Sequence, residues 1–274
     1  MANRYRPAWA PDDIDIETPS AARMYDYYLG GSHNFAADRA LAQENQRVWP
    51  DLGAICQANR AFLHRTVHHL AKSGVTQFLD LGSGIPSNGN VHEVAQAVDP
   101  EAATVYVDAD HVAVAHGQLI LGDAPHTAIM HADVRTAQEI LEHPLLARYL
   151  DLTRPVALVM NSVLPFIPDA DDPSGVVAAY RDATAPGSYL VLSHATDEYK
   201  PERAERTATI YNQASHSTTF RSRKRIAELF DGYELLDPGL VDVIGWRPDP
   251  QSPPDPLGRD VTRYSLLGAV GRKL

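Results

Sequence analysis

Residues Phe78-Leu79-Asp80-Leu81-Gly82-Ser83-Gly84-Ile85-Pro86 put an acid near the end of an apolar run and two glycines directly beyond it. Two more acids recur behind later apolar runs: Asp108 closes Thr104-Val105-Tyr106-Val107, and Asp133 sits in His131-Ala132-Asp133-Val134-Arg135. Carboxylates at the carboxyl ends of successive parallel strands stand where open α/β sheets bind their ligands. Gly82 and Gly84 let the backbone approach such a ligand with no Cβ in the way. Asp108, roughly 20 to 30 residues past the glycines, is at the distance from which an acid accepts hydrogen bonds from ribose hydroxyls. Asp133 can accept from the exocyclic amine of an adenine. The turn does not complete Gly-x-Gly-x-x-Gly, because Ser87 follows Pro86 at the third position. Fewer glycine amides for a pyrophosphate argue against a dinucleotide, and so against a nicotinamide-dependent dehydrogenase. They favour a nucleoside without phosphates and with a charged tail, such as S-adenosylmethionine.

Acids arranged this way need a sheet to hold them in line. Strand-like runs over 75–81, 103–108, 127–131, 155–160, 188–194, 233–237 and 264–270 alternate with helical spacing over 89–97, 111–121, 135–142, 173–183 and 222–230. Strand-then-helix repetition builds an α/β fold around a parallel sheet. Ahead of it, helices are expected over 21–29, 36–49 and 53–73, with Ser20 as the first cap. The chain thus divides into a flexible arm (1–19), a helical cap or lid (20–74) and a Rossmann-like domain (75–274) with insertions near 196–221 and 246–257. In the lid, Gly30 and Gly31 lie among Tyr27, Tyr28, His33, Asn34 and Phe35, a pattern suited to closure over a ligand. Tyr27 and Tyr28 offer ring faces to a sulfonium, and Arg23 offers a bidentate contact to a carboxylate.

Composition narrows the partners. The 274 residues are 44% hydrophobic and 22% charged, with a formal net charge of −11, which disfavours diffuse attraction to nucleic acid. No run approaches the ~18 apolar residues of a membrane helix. The single Cys56 excludes an internal disulfide framework, and no leader pattern opens the chain, so a reducing cytoplasm is the expected compartment. Twelve histidines show no metal-ligand spacing: His64, His68 and His69 lie on one helical run without a well-placed third ligand. His194, in Leu192-Ser193-His194-Ala195, falls at the carboxyl edge and is the candidate base or acceptor contact.

Taken together, Asp80-Leu81-Gly82-Ser83-Gly84-Ile85-Pro86, Val107-Asp108 and Ala132-Asp133-Val134 resemble the first three motifs of class I S-adenosylmethionine-dependent methyltransferases. Pro19 through Phe35 and Phe166 through Pro173 are similar to the S-adenosyl methyltransferase family formerly described as a domain of unknown function. The resemblance runs from about residue 16 to the end. It implies a seven-stranded, mostly parallel sheet with the last strand inserted antiparallel, and S-adenosylmethionine as methyl donor. It also implies Gly82 and Gly84 under the methionyl moiety, Asp108 on ribose, and Asp133 with the Val134 amide at adenine. Asp80 then orders the turn or binds the donor's amino group. The family pattern implies a histidine where this chain has Pro165, which removes a ring nitrogen from the reaction face. The expected activity is methyl transfer to a small-molecule acceptor; the alternative is a non-catalytic sensor of S-adenosylmethionine or S-adenosylhomocysteine. Neither acceptor identity nor oligomeric state is legible in the residues.

Overall fold

The computed structural model describes residues 15–85, 89–122, 124–249 and 255–274. Residues 1–14 of the arm expected over 1–19, the Pro86-Ser87 step and the centre of the proline-rich loop lie outside them. Three helices come first: α1 (Ala21–Tyr28), α2 (Ala36–Val48) and α3 (Leu52–Lys72). The alternation follows as β1 (Gln77–Leu81), α4 (Val91–Gln96), β2 (Ala103–Asp108), α5 (His111–Leu121), β3 (Thr127–His131), α6 (Ala137–Leu141), α7 (Pro144–Tyr149) and β4 (Ala157–Asn161). It continues with α8 (Pro173–Ala183), β5 (Tyr189–Ala195), α9 (Pro201–Tyr211), α10 (Arg223–Glu228), β6 (Tyr233–Leu235), β7 (Val241–Asp242) and β8 (Leu266–Lys273). Among the described residues no helix is long and apolar enough to cross a membrane.

The sheet runs β3-β2-β1-β4-β5-β8-β6. Strands β1 to β5 pair in parallel, and β8 enters antiparallel between β5 and β6. These seven strands are the expected set. An eighth, the two-residue β7, pairs with β8 off the main path, too short to leave a periodic signal. Because side chains alternate across a strand, the central strands feed two cores. Phe78, Val159, Val191 and Val270 join Phe62, Leu70 and Trp246 on one face. Leu79, Leu158, Leu190 and Ala269 join Ile140, Tyr180 and Ile226 on the other.

Strand order reverses between β1 and β4, and in such sheets the crevice beyond that reversal is the ligand site. The first two N-terminal helices are bound to each other through one buried acid. Asp38, 0% exposed, accepts from the Ser20 and Phe35 amides at 2.9 and 2.7 Å and from Arg23 Nε at 2.9 Å. Ser20 is therefore the N-cap residue of α1 in backbone only; its side chain makes no capping bond. The turn between α1 and α2 is likewise tied down. The Asp26 carboxylate accepts from the His33 amide and the Asn34 side chain at 2.9 and 2.8 Å, and it leaves no room for a Cβ on Gly31. Two glycines that suggest a free hinge in sequence belong to a hydrogen-bonded turn.

Candidate functional site

A cavity of about 250 Å³ follows the carboxyl edge of the sheet. It gathers Asp80, Gly82, Gly84, Asp108, Asp133 and Val134, together with Tyr28. Tyr28 comes from α1, and the others reach the edge because the parallel strands end in register, so that Asp80 faces Tyr106 and Asp108 faces His131 across the ladder.

The two glycines differ in what they do. Gly82 and Gly84 have φ of 73° and 67°, a left-handed backbone that costs other residues about 1–2 kcal/mol. A Cβ on Gly82 would stand 2.5 Å from Val163 Cγ2, whereas one on Gly84 would meet nothing within 4 Å among the described residues. Gly82 thus allows the loop after β4 to close on β1, and Gly84 borders open space where a ligand fits.

Asp108 fastens this turn: its carboxylate accepts from the Gly84 amide at 2.7 Å and the Asp110 amide at 2.8 Å. Burial nevertheless lifts its pKa to about 6, against those two bonds. Asp80 is lifted further, to about 7, by burial, with Arg60 opposing the rise and Asp108 adding to it. Two buried carboxylates with raised pKa lining one cavity call for a cationic or hydrogen-bond-donating ligand. Asp133 differs. Arg135 forks onto it through Nε and Nη2 at 3.0 and 2.6 Å and reaches Asp171 at 2.6 Å, and that pairing lowers its pKa. The Arg135 amide also donates to Asp133 Oδ1 at 2.9 Å and Nε is shared with Oδ2 at 3.1 Å, so Arg135 addresses both oxygens and any further donor has to share them. The Val134 carbonyl accepts from Tyr180 Oη at 2.8 Å, which fixes the loop that carries the Val134 amide.

Three expected site residues are not on the cavity lining among the described residues. Arg23 is 4% exposed and spent on Asp38, on Asp110 at 3.4 Å and on the Thr18 carbonyl at 2.6 Å. Tyr27 points its hydroxyl at Gln43. His194 is 0% exposed. Its Nδ1 lies 2.7 Å from the Ala195 carbonyl and its Nε2 2.7 Å from Arg221 Nη1, so Nδ1 carries the proton and the Nε2 lone pair is already taken. Burial depresses its pKa to about 3. The same Arg221 binds the Leu164 and Ile167 carbonyls and Asp169, making His194 part of a brace under the loop after β4.

Other residues line the cavity unannounced. Leu52, Ile55, Cys56, Asn59, Arg60 and Leu63 form one stripe of α3 on it. A polar pair, Asn59 and Arg60, inside that apolar stripe was the available signal. Asn59 Nδ2 donates to Tyr25 Oη at 3.2 Å and Ser162 Oγ at 3.0 Å. Ser193 Oγ lies 2.7 Å from Asn59 Oδ1 and 2.9 Å from Asn161 Oδ1; its one proton serves one of them at a time. Ser162 adopts φ of 59°, uncommon for a residue with a side chain and a frequent mark of functional loops.

A parallel sheet with one antiparallel insertion, a crevice at its strand-order reversal and paired acids beyond a glycine turn define the class I methyltransferase fold. A family model described as S-adenosyl methyltransferase matches residues 7–274, and the chain belongs to that family. A candidate methyltransferase from Thermobifida fusca YX is 40% identical with a TM-score of 0.89, covering 97% of this chain and 99% of that one. A DUF574 family protein from Streptomyces avermitilis MA-4680 is 39% identical with a TM-score of 0.90, covering 95% and 99%. None of the curated proteins matches the sequence.

Proposed function

We propose that this protein is an S-adenosylmethionine-dependent methyltransferase acting on a small molecule. The observation that carries the reading is the pairing of buried Asp80 and Asp108 beside the open space at Gly84. S-adenosylmethionine, when bound, supplies an electrophilic methyl group on a sulfonium. Asp80 receives the donor's ammonium, Asp108 its ribose hydroxyls, and Asp133 with the Val134 amide its adenine. Arg60, which lines the cavity and acts electrostatically on Asp80, takes the donor carboxylate in place of Arg23. Tyr25 and Tyr28 line the same space and supply the ring faces assigned in sequence to Tyr27 and Tyr28. Catalysis then comes from orientation and exclusion of water, with the lining side chains of Asn59 and Ser162, braced from behind by buried Ser193, holding the acceptor's reacting group.

Calorimetric titration with S-adenosylmethionine and with NADH tests the donor: the first binds and the second does not. S-adenosylhomocysteine formation across a metabolite library separates an enzyme from the alternative sensor, which would bind donor and never turn it over.

A further inference from the structure

The cavity changes character along its length. From β3 toward β8 its floor passes from Asp133, Asp108 and Asp80, over Asn161 and Ser162, to Ala195 and Leu266, which pair at the ends of β5 and β8. Strands lie ~4.8 Å apart, so β8 is about 14 Å from β1. Charge is confined to one end. Among the described residues, the charged lining groups are Asp80, Asp108, Asp110, Asp133, Arg135 and Arg60, all on β1–β3, the turns after them or beside Asp80. His216, the lining histidine, interacts with Asp133 at that same end.

The opposite end is walled by Trp49, Ile55, Phe220, Tyr264 and Leu266. The Trp49 and Phe220 rings lie parallel, within 10°, with centroids 6.1 Å apart. Trp49 Nε1 and Thr207 Oγ1, on lining residues, are buried with no hydrogen-bond partner among the described residues.

We infer that this end is the acceptor chamber, and that its ligand is an uncharged, ring-bearing small molecule with a hydrogen-bonding heteroatom. The inference rests on the donor reading above. A charged acceptor would lose its hydration there and find no counter-ion among the described lining residues, the nearby Arg263 and Asp51 being paired with each other. An apolar ring gains both burial and ring contact with Trp49, Phe220 and Tyr264. The unmet polar atoms of Trp49 and Thr207 favour a heteroatom on that ring, because buried polar groups rarely go without partners.

The test is calorimetric titration of protein saturated with S-adenosylhomocysteine, using 2-naphthol, 2-naphthalenesulfonate, 2-naphthylmethylammonium and sorbitol. The neutral ring binds one site per chain, its anionic and cationic analogues bind at least about tenfold more weakly, and sorbitol does not bind. Phe220→Ala weakens 2-naphthol by about tenfold and Trp49→Phe by a smaller factor, while S-adenosylhomocysteine affinity stays unchanged in both. Charged analogues that bind as well as 2-naphthol overturn the inference on the unaltered protein, whatever the variants do. Loss of S-adenosylhomocysteine binding in both variants also overturns it, since the chamber would not be separate from the donor end. Failure of the unaltered protein to bind S-adenosylhomocysteine is a different result: it removes the donor reading, and this inference with it.

Discussion

Asp80 is where stability and ligand binding conflict. Its folded pKa of about 7 exceeds the ordinary carboxylate value, so between roughly pH 4 and pH 7 the folded state holds a proton that the unfolded chain releases. This group's contribution to the stability of the unliganded protein therefore falls as pH rises through that window. Asp80→Asn should raise the melting temperature at pH 8 by several degrees and weaken S-adenosylmethionine by at least about tenfold, an opposition that a purely structural acid would not produce. In the unaltered protein, donor affinity should climb with pH up to about 7 as Asp108 and then Asp80 ionise, and in the Asn variant the limb should shrink to the one near pH 6 that Asp108 supplies. Asp108→Ala should cost about 1.5–3 kcal/mol of donor binding, and unchanged affinity would remove the ribose role. For His194, buried with its lone pair on Arg221, the expected result of His194→Gln is a lower melting temperature with no change in the pH dependence of turnover. Loss of a pH limb would return it to the reaction.

At the level of elements, the N-terminal helices depend on the buried ion pair of Arg23 and Asp38. Asp38→Ala leaves a guanidinium without its main counter-charge and two amides without an acceptor, so it should destabilise the fold by about 3–5 kcal/mol. Denaturant unfolding measures this. A second joint lies where α3 crosses β8: a Cβ on Gly268 would sit 2.8 Å from Phe62 Cζ. Gly268→Ala should cost about 1–3 kcal/mol by overpacking, with donor affinity retained because the contact is in the core. Helix bounds over 21–28, 36–48 and 52–72 were close to legible from apolar spacing and the Pro50 and Gly74 breaks. The tie at Asp26 was not, since nothing in Gly30-Gly31 says which carboxylate will fill the space beside it.

For the whole molecule, one face of the sheet shares its core with α3, and α3 also packs on α1 and lines the cavity. Cap and sheet should consequently unfold together, in one transition seen alike by circular dichroism and tryptophan fluorescence. S-adenosylhomocysteine at about 100 times its Kd should stabilise that transition by about 2.7 kcal/mol. Two separated transitions would show the N-terminal helices to be an independent unit.

Local chemistry by itself determined the strand-and-helix alternation, the glycine turn and the three strand-end acids, because each depends on side-chain period or on backbone freedom within a few residues. Together with the resemblance it carried the fold class and the donor. Only the tertiary structure decided which charged groups meet the cavity. Arg23 and His194 fit the local pattern as well as Arg60 does, yet Asp38 and Arg221, distant in sequence, neutralise the first and occupy the lone pair of the second. The aromatic chamber was equally hidden, since Trp49, Phe220 and Tyr264 come from separate segments and share a wall only when β8 inserts beside β5 and α3 lies across both. Partners far apart along the chain carry no periodic signal, and packing alone chooses among them.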